Sequence, residues 1–387
     1  MKKRISDRLP ITYPFDIVAN RDARRTAQGL RHLPSTTYHL LPTTYQKAFT
    51  LIEIMIVIVI IGILASVSYV AYIGIQGRAV VTSLMSDLQN ASDQLVIDQA
   101  KSSTNVFPAT LAAASATIKW SSSTTSTYTV NNTNTPKTFC LTATKSSQSY
   151  FITQEGLPMP GPCPVLYLDA GIITSYPGTG TTWTDLSGNG NNATMYGSVP
   201  FETDVVPDFN FSTVTSSVPS GNVAYGALLG FTFVSNMVTR TGDFTFSTWV
   251  KNPPISSQLG MFSNAGGADG YRFGVGLSGV YMLVGPPYTE GTISFLTPLQ
   301  SNVWSNVVTV FKRSESKVLV YLNGVYQNTA NIPASQTIMV NTTPGIVRSQ
   351  CCSLFTGKIS SFSVYNAVLT SSEITQSFNI LKSRYGL

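Results

Sequence analysis

The chain has 387 residues, 43% of them apolar and only 11% charged, against roughly 25% charged in ordinary soluble domains. Its formal charge is +6, but nine of the 24 Lys and Arg and three of the 18 Asp and Glu lie in residues 1–48, so residues 49–387 are neutral and offer no phosphate-reading patch. Both histidines, His32 and His39, also lie in 1–48, which excludes His-based triads and His metal ligands from everything downstream.

The first predicted element follows this basic segment. From Ile54 to Ile75 there are 22 residues without a charge. As a helix they would extend about 33 Å, matching a hydrocarbon core of about 30 Å. The Lys and Arg ahead of them predict that residues 1–48 stay cytoplasmic and the rest of the chain goes outside. A secretory signal peptide would have an apolar core of about 7–15 residues followed by a small-residue cleavage site. Here the small residue, Ala48, precedes the apolar run. Glu53 sits near the start of the run, where a carboxylate costs on the order of 3 kcal/mol if it is carried to the bilayer centre.

The stretch "AFTLIEIM", Ala48 to Met55, resembles the prepilin motif of type IV pilins: a basic leader, a small residue, then FTLIE opening a long apolar helix. The resemblance implies cleavage between Ala48 and Phe49 by a prepilin peptidase and N-methylation of Phe49. It also implies that Glu53, fifth in the mature chain, meets the N-terminal ammonium of a neighbouring subunit in a filament, where low dielectric strengthens the pair. The family usually has Gly where this chain has Ala48, a shorter leader, and a proline near Val70. In its absence Gly74 and Gly77 are the candidates for loosening the helix, each lowering helix propensity by about 1 kcal/mol.

Beyond Gly77 the pattern becomes amphipathic. Val81, Leu84, Leu88, Ala91, Ser92 and Leu95 form a stripe at helical period, with Asp87, Asp93 and Asp98 expected elsewhere around the helix. The stripe reads as packing surface for a small sheet over 106–164, where "STYTVNN", "KTFCLTAT" and "SYFITQ" read as strands, with a site for a partner helix as the competing reading. A bridge between Cys140 and Cys163 there would contribute roughly 3 kcal/mol by the chain-entropy argument. It resembles the disulfide-bounded loop of pilin heads. "PMPGPCP" then reads as a stiff linker.

From 165 to 387 short strands alternate with glycine turns. "DFTFSTWVK" points Phe244, Phe246 and Val250 to one face and Trp249 to the other. Asn323-Gly324 is a type I′ hairpin signal, and Thr370 to Glu373 is a capping box opening a terminal helix with Ile374, Phe378 and Leu381 on its buried face. "LDAG…TTWTDLSGNGNN", "FTFSTWVK", Trp304 ahead of "VYLNGV", and "GKISSFSVYNAVLTSSEI" together resemble the laminin-G-like, concanavalin A-like jelly rolls. The whole chain is thus expected to be α+β: leader 1–48, helix 49–105 with 49–75 in the membrane, small head 106–164, and a jelly roll over 165–387. The resemblance implies carbohydrate or protein binding, with hydrolases in a few branches.

Several side chains in this region are candidates for a site. Asp185, Asn189 and Asn191 in "TDLSGNGNNA" alternate like calcium-loop ligands, although no acidic residue closes the loop, so a glycine-rich turn is the competing reading. Apart from this calcium, no cofactor is expected. Trp183, Trp249, Trp304 and Tyr271 could stack on sugars or fill the core. The segment 263–276 offers Asn264, Asp269, Tyr271 and Arg272 on a loop, where sandwich sites gather. Cys351 and Cys352 are adjacent, and either form a strained vicinal bond that makes a rigid apolar plate in a binding site, or are free buried thiols or part of a structural bond. Glu202 and Asp204 lack the third carboxylate of a Glu-x-Asp-x-x-Glu hydrolase pattern, since Pro207 stands in its place. The resulting expectation is a minor or tip pilin, not an enzyme, whose partners are other pilins, a prepilin peptidase, the membrane and a surface glycan or protein, without nucleic acid. It would sit first in the cytoplasmic membrane and then on an extracellular pilus. A secretion-system pseudopilin and a surface-tethered glycan hydrolase are the rival readings.

Overall fold

In the computed structural model, the uncharged run and the amphipathic stretch after it form a single helix, α1 (Leu51–Lys101). It has 51 residues, about 77 Å at 1.5 Å per residue, and runs without a break through Gly74 and Gly77. The structure describes residues 49–114, 118–195, 199–212, 229–231, 242–253, 262–263, 271–284, 289–332, 345–346 and 355–387. Residues 51 to 75 of α1 are exposed all round. Burial begins in its second half, at Leu84, Asp87, Leu88, Ala91, Ser92, Leu95 and Asp98.

That buried stripe lies on a four-stranded antiparallel sheet in the order β1 (Thr125–Asn131), β2 (Thr138–Lys145), β3 (Gln148–Thr153), β4 (Met159–Pro160). Leu84, Leu88 and Leu95 pack with Phe139, Leu141 and Ile152. Two aspartates depart from the sequence pattern, because Asp87 and Asp98 belong to the buried face. Asp87 is tolerated there because its carboxylate accepts the backbone N–H and the hydroxyl of Ser121, at 2.9 and 3.0 Å, and Asp98 accepts the Gln94 amide at 2.8 Å. The proline-rich stretch is not a free linker either. Met159 and Pro160 pair with Phe151 and Tyr150, and Pro158, Pro160 and Pro164 are buried.

The remaining strands make two facing antiparallel sheets. One runs β18 (Val325–Asn331), β17 (Lys317–Leu322), β16 (Ser305–Lys312), β11 (Phe244–Lys251), β20 (Lys358–Tyr365), β9 (Asp208–Asn210), β8 (Phe201–Glu202), with β5 (Leu166–Asp169) also paired to β20. The other runs β15 (Thr289–Ser294), β14 (Gly279–Val284), β13 (Tyr271–Gly276), β12 (Phe262–Ser263), β19 (Gly345–Ile346), β10 (Leu229–Phe231), β7 (Ala193–Met195), β6 (Thr182–Trp183). Between them lies the main core, with Phe244, Phe246 and Val250 from one sheet meeting Phe273, Val280 and Met282 from the other. The rings of Phe244 and Phe311 stack at 4.4 Å. Asn323 and Gly324 both take positive φ, 51° and 78°, as a two-residue I′ turn between β17 and β18 requires.

The sheet containing β11 is buried on both faces. On β16, Val307 and Phe311 face the main core, while Val308 and Val310 face outward into a second apolar cluster with Phe151, Tyr365 and Ile374. Three elements supply that cover: the head strands β3 and β4, and the terminal helix α2 (Ser371–Leu381). From Ala65 onward the chain is therefore one compact body.

Candidate functional site

At the start of α1, Thr50 is the N-cap and Glu53 is the third helical residue. The Glu53 carboxylate accepts the Thr50 backbone N–H at 2.7 Å and its hydroxyl at 3.0 Å, while the Glu53 N–H donates to Thr50 Oγ1 at 3.3 Å. This is a reciprocal capping box. The same Thr-x-x-Glu spacing is legible in the sequence, and it gives the carboxylate a local partner before any second subunit is present. Phe49 and Leu51 beside it are 79% and 78% exposed. Ala48 lies outside the described residues.

In the sandwich, the residues with a calcium-like spacing fold into a self-satisfied turn. Asp185 is fully buried, and its carboxylate accepts the N–H groups of Tyr167, Ser187 and Asn191, each at 2.9 Å, and the Ser187 hydroxyl at 2.7 Å. Burial nevertheless raises its carboxyl above the ordinary value, with those four donors pulling the other way. Asn189 and Asn191 both donate their amide N–H to the Val165 carbonyl, at 3.3 and 2.8 Å. The lone pairs that a calcium ion would need on Asp185 are occupied, so these residues do not fit a cation site in this geometry. The two glycines explain the loop better. Gly188 and Gly190 have φ of +79° and +77°, and a Cβ would come within 2.6 Å of the Thr129 carbonyl at Gly188 and within 2.1 Å of the Asn131 side chain at Gly190. The loop is seated on the head sheet, and only glycine allows that approach.

Trp183, Trp249 and Trp304 are 0, 2 and 6% exposed. Trp249 is stacked against Tyr385, with ring centroids 3.7 Å apart and planes 4° from parallel, and Phe378 lies near-parallel to it at 5.8 Å. These rings hold the C-terminal segment to the sheet and present no face to a sugar. Tyr271 and Arg272 open β13, paired with Val284 and Leu283. Asn264, Asp269, Cys351 and Cys352 lie outside the described residues.

Glu202 and Asp204 do not come together as a carboxylate pair. Asp204 is exposed, whereas Glu202 stands opposite Asp208 across the β8–β9 pairing. Lys358 lies between them, ion-paired to Glu202 and 3.5 Å from Asp208. Glu202 is held below the ordinary carboxylate range by the Asn210 amide, at 2.6 Å, and by Lys358. Asp208 is pushed up to about 6, chiefly by burial and further by the Glu202 charge, with Lys358 opposing. The two carboxylates share the single Lys358 ammonium, which leaves the cluster with a net negative charge when both are ionised.

A second buried ion pair has no signal in local sequence. Arg384 near the C-terminus donates to both oxygens of Asp169 on β5, at 2.8 and 2.6 Å. Gly171 makes room for it, since a Cβ there would stand 1.9 Å from the guanidinium. Beside this pair, a cleft of about 290 Å³ opens between the head, β5 and the end of α2, with Phe151, Leu157 and Leu381 among its walls. The disulfide Cys140–Cys163 lies at the same junction. Cys140 is fully buried among residues of both the head and the sandwich.

Comparison with known proteins identifies two segments. Residues 43–69 match the prokaryotic N-terminal methylation motif. Residues 230–375 match the concanavalin A-like lectin/glucanases superfamily, and strands before residue 230 join the same two sheets. No curated protein matches the chain. Among solved structures, the binding domain of botulinum neurotoxin DC in complex with rat synaptotagmin II is similar at 16% identity and TM-score 0.43, over 57% of this chain and 52% of that one. The binding domain of Paraclostridial Mosquitocidal Protein 1 is similar at 15% identity and TM-score 0.43, over 56% and 52%. The chain spans about half of each, and at these scores neither likeness bears on function. The chain thus carries a prepilin-type N-terminal methylation motif and, on the same polypeptide, a lectin-like sandwich of the concanavalin A-like superfamily.

Proposed function

We propose that this protein is a subunit of a type IV pilus-like filament, of the minor or tip kind, which displays its sandwich for adhesion to a surface glycan or protein. One observation carries the reading. A helix with the methylation motif, exposed on every side over residues 51 to 75, continues directly into a body in which the sandwich is packed on the head. An apolar helix with no cover of its own needs a membrane and then a bundle of like helices. In this reading residues 1–48 are the leader, cleavage falls between Ala48 and Phe49, Phe49 is methylated, and the subunit passes from the cytoplasmic membrane to an extracellular filament. Residues 49–105 form the helix, 106–164 the head and 165–387 the binding module.

The head and α2 cover the outer face of the β11 sheet, which supports contact with ligand through the opposite sheet and the loops at its ends. Tyr271 and Arg272 stand on the first two positions of β13 and not on a loop; with Asn264 and Asp269 they remain the proposed ligand residues, on the strength of residue type and position. The test is full-length mature protein in detergent on a glycan array, with and without calcium, beside whole-cell attachment. Calcium-independent binding that the Tyr271→Ala/Arg272→Ala double variant weakens without unfolding supports these residues. Full adhesion after deletion of 165–387 overturns the adhesive reading. An N-terminus other than methylated Phe49 on surface material overturns the pilin reading.

A further inference from the structure

The head and the sandwich are joined twice at one place, by a buried apolar cluster and by a covalent bond. Cys163 stands two residues before Val165, whose N–H bonds the β20 strand of the sandwich at 2.7 Å. Cys140 lies on β2, an inner strand of the head, opposite Thr129 on β1 and Thr153 on β3. Along the backbone, a pull on the sandwich would reach α1 only through β4, β3, β2 and β1 in turn. That route peels an edge strand of two residues first, one hydrogen-bonded pair at a time. Through the sulfurs, the same pull arrives directly at the middle of the sheet.

We infer that the Cys140–Cys163 disulfide is a mechanical bypass, carrying tension from the sandwich into β2 and leaving β3 and β4 out of the line of force. Two further contacts fit this role. The Asp169–Arg384 pair and the Trp249–Tyr385 stack fasten the C-terminal segment beside β5, so the two ends of the sandwich are held together where force enters. Val308, Val310, Tyr365 and Ile374 cover Cys140 from outside, while Cys163 is half-buried. The inference rests on the adhesive reading only for the natural source of the load. A pull applied by instrument tests it whether or not a ligand is ever found.

The experiment is single-molecule stretching of the full chain in detergent, held by handles at its N- and C-termini. In the native protein no extension should come from residues 141–162 before the sandwich separates. In the Cys140→Ser/Cys163→Ser variant an early, low-force step of about 80 Å should appear, the extended length of that segment at about 3.6 Å per residue. Absence of the early step, with sandwich rupture unchanged, overturns the bypass. Should the variant not fold, the native chain held at constant force with a phosphine reductant decides instead. The step of about 80 Å should then appear on reduction, before the sandwich ruptures. Reduction that releases no extension of about 80 Å overturns the bypass.

Discussion

Two helices in this protein begin with the same four-residue device. At α1, Thr50 and Glu53 exchange hydrogen bonds of 2.7, 3.0 and 3.3 Å. At α2, Thr370 and Glu373 exchange bonds of 2.7, 2.9 and 3.2 Å. The geometry is the same, yet the surroundings are opposite. Behind the second box Leu369 and Ile374 are buried against the head and the sandwich, and the helix exists to cover them. Behind the first, nothing among the described residues covers Leu51, Ile52 or Ile54. A capping box fixes where a helix starts and says nothing about what the helix is for. It also changes the account of Glu53, whose carboxylate is already satisfied by two donors in the single subunit.

That contrast can be broken most strongly at Glu53. Glutamine serves in a capping box as well as glutamate does, so Glu53→Gln keeps the helix start and removes only the charge. We expect unchanged membrane insertion and a fall in incorporation of at least ~100-fold, in line with the about 3–5 kcal/mol cost of taking one partner from a buried pair. Immunoblots of sheared filaments against membranes measure it. Undiminished incorporation would leave capping as the whole role of Glu53.

At the other helix the anchor is the C-terminal clasp. Arg384→Met strands a buried Asp169 carboxylate and should lower stability by about 3 kcal/mol in urea unfolding. Adding Asp169→Asn in the same chain should recover part of that loss, which a simple packing defect would not permit.

A third carboxylate sharpens the comparison because burial, not capping, governs it. The Asp208 carboxyl is pushed up to about 6, from an ordinary value of 3.8. Between those pH values the folded state binds more protons than the unfolded one, so this group's contribution to stability falls as pH rises from about 4 to about 6. Its size is on the order of 2 kcal/mol. Asp208→Asn should flatten the stability profile in that window, and an unchanged slope would show that Lys358 neutralises the group more fully than its burial suggests.

The smallest effect belongs to the second box itself. Thr370→Ala should cost about 1 kcal/mol and Glu373→Gln only a few tenths, both read as shifts of the urea midpoint. A loss above about 2 kcal/mol for Glu373→Gln would mean that its charge serves some purpose beyond the cap.

Local patterns carried much of the fold. The alternation in 244–250 places Phe244, Phe246 and Val250 in the core and Trp249 outside it, the Asn323-Gly324 pair makes its turn, and the stripe from Leu84 to Leu95 meets the head. The Thr50–Glu53 box was as legible as its twin, but a charge in an apolar run draws attention to its cost before its hydrogen bonds. Other features had no local signal. Asp87 and Asp98 look solvent-facing until Ser121 and Gln94 are placed beside them. "PMPGPCP" looks like a spacer because nothing nearby in sequence reveals that the sandwich packs on it. The alternating Asp185, Asn189 and Asn191 suggested a cation, whereas the Val165 carbonyl and three backbone N–H groups were the actual partners. The ligand residues rest on sequence alone.

The two positive-φ glycines at 188 and 190 bear on how such a protein can be re-engineered. A sandwich lifted from this chain and grafted onto a different stalk would bring two bare notches cut to the shape of Thr129 and Asn131. A foreign sandwich placed here would bring side chains where there is no room for them. In any exchange of sandwiches, the 185–191 turn and its seat on the head are therefore moved as a matched pair or not at all.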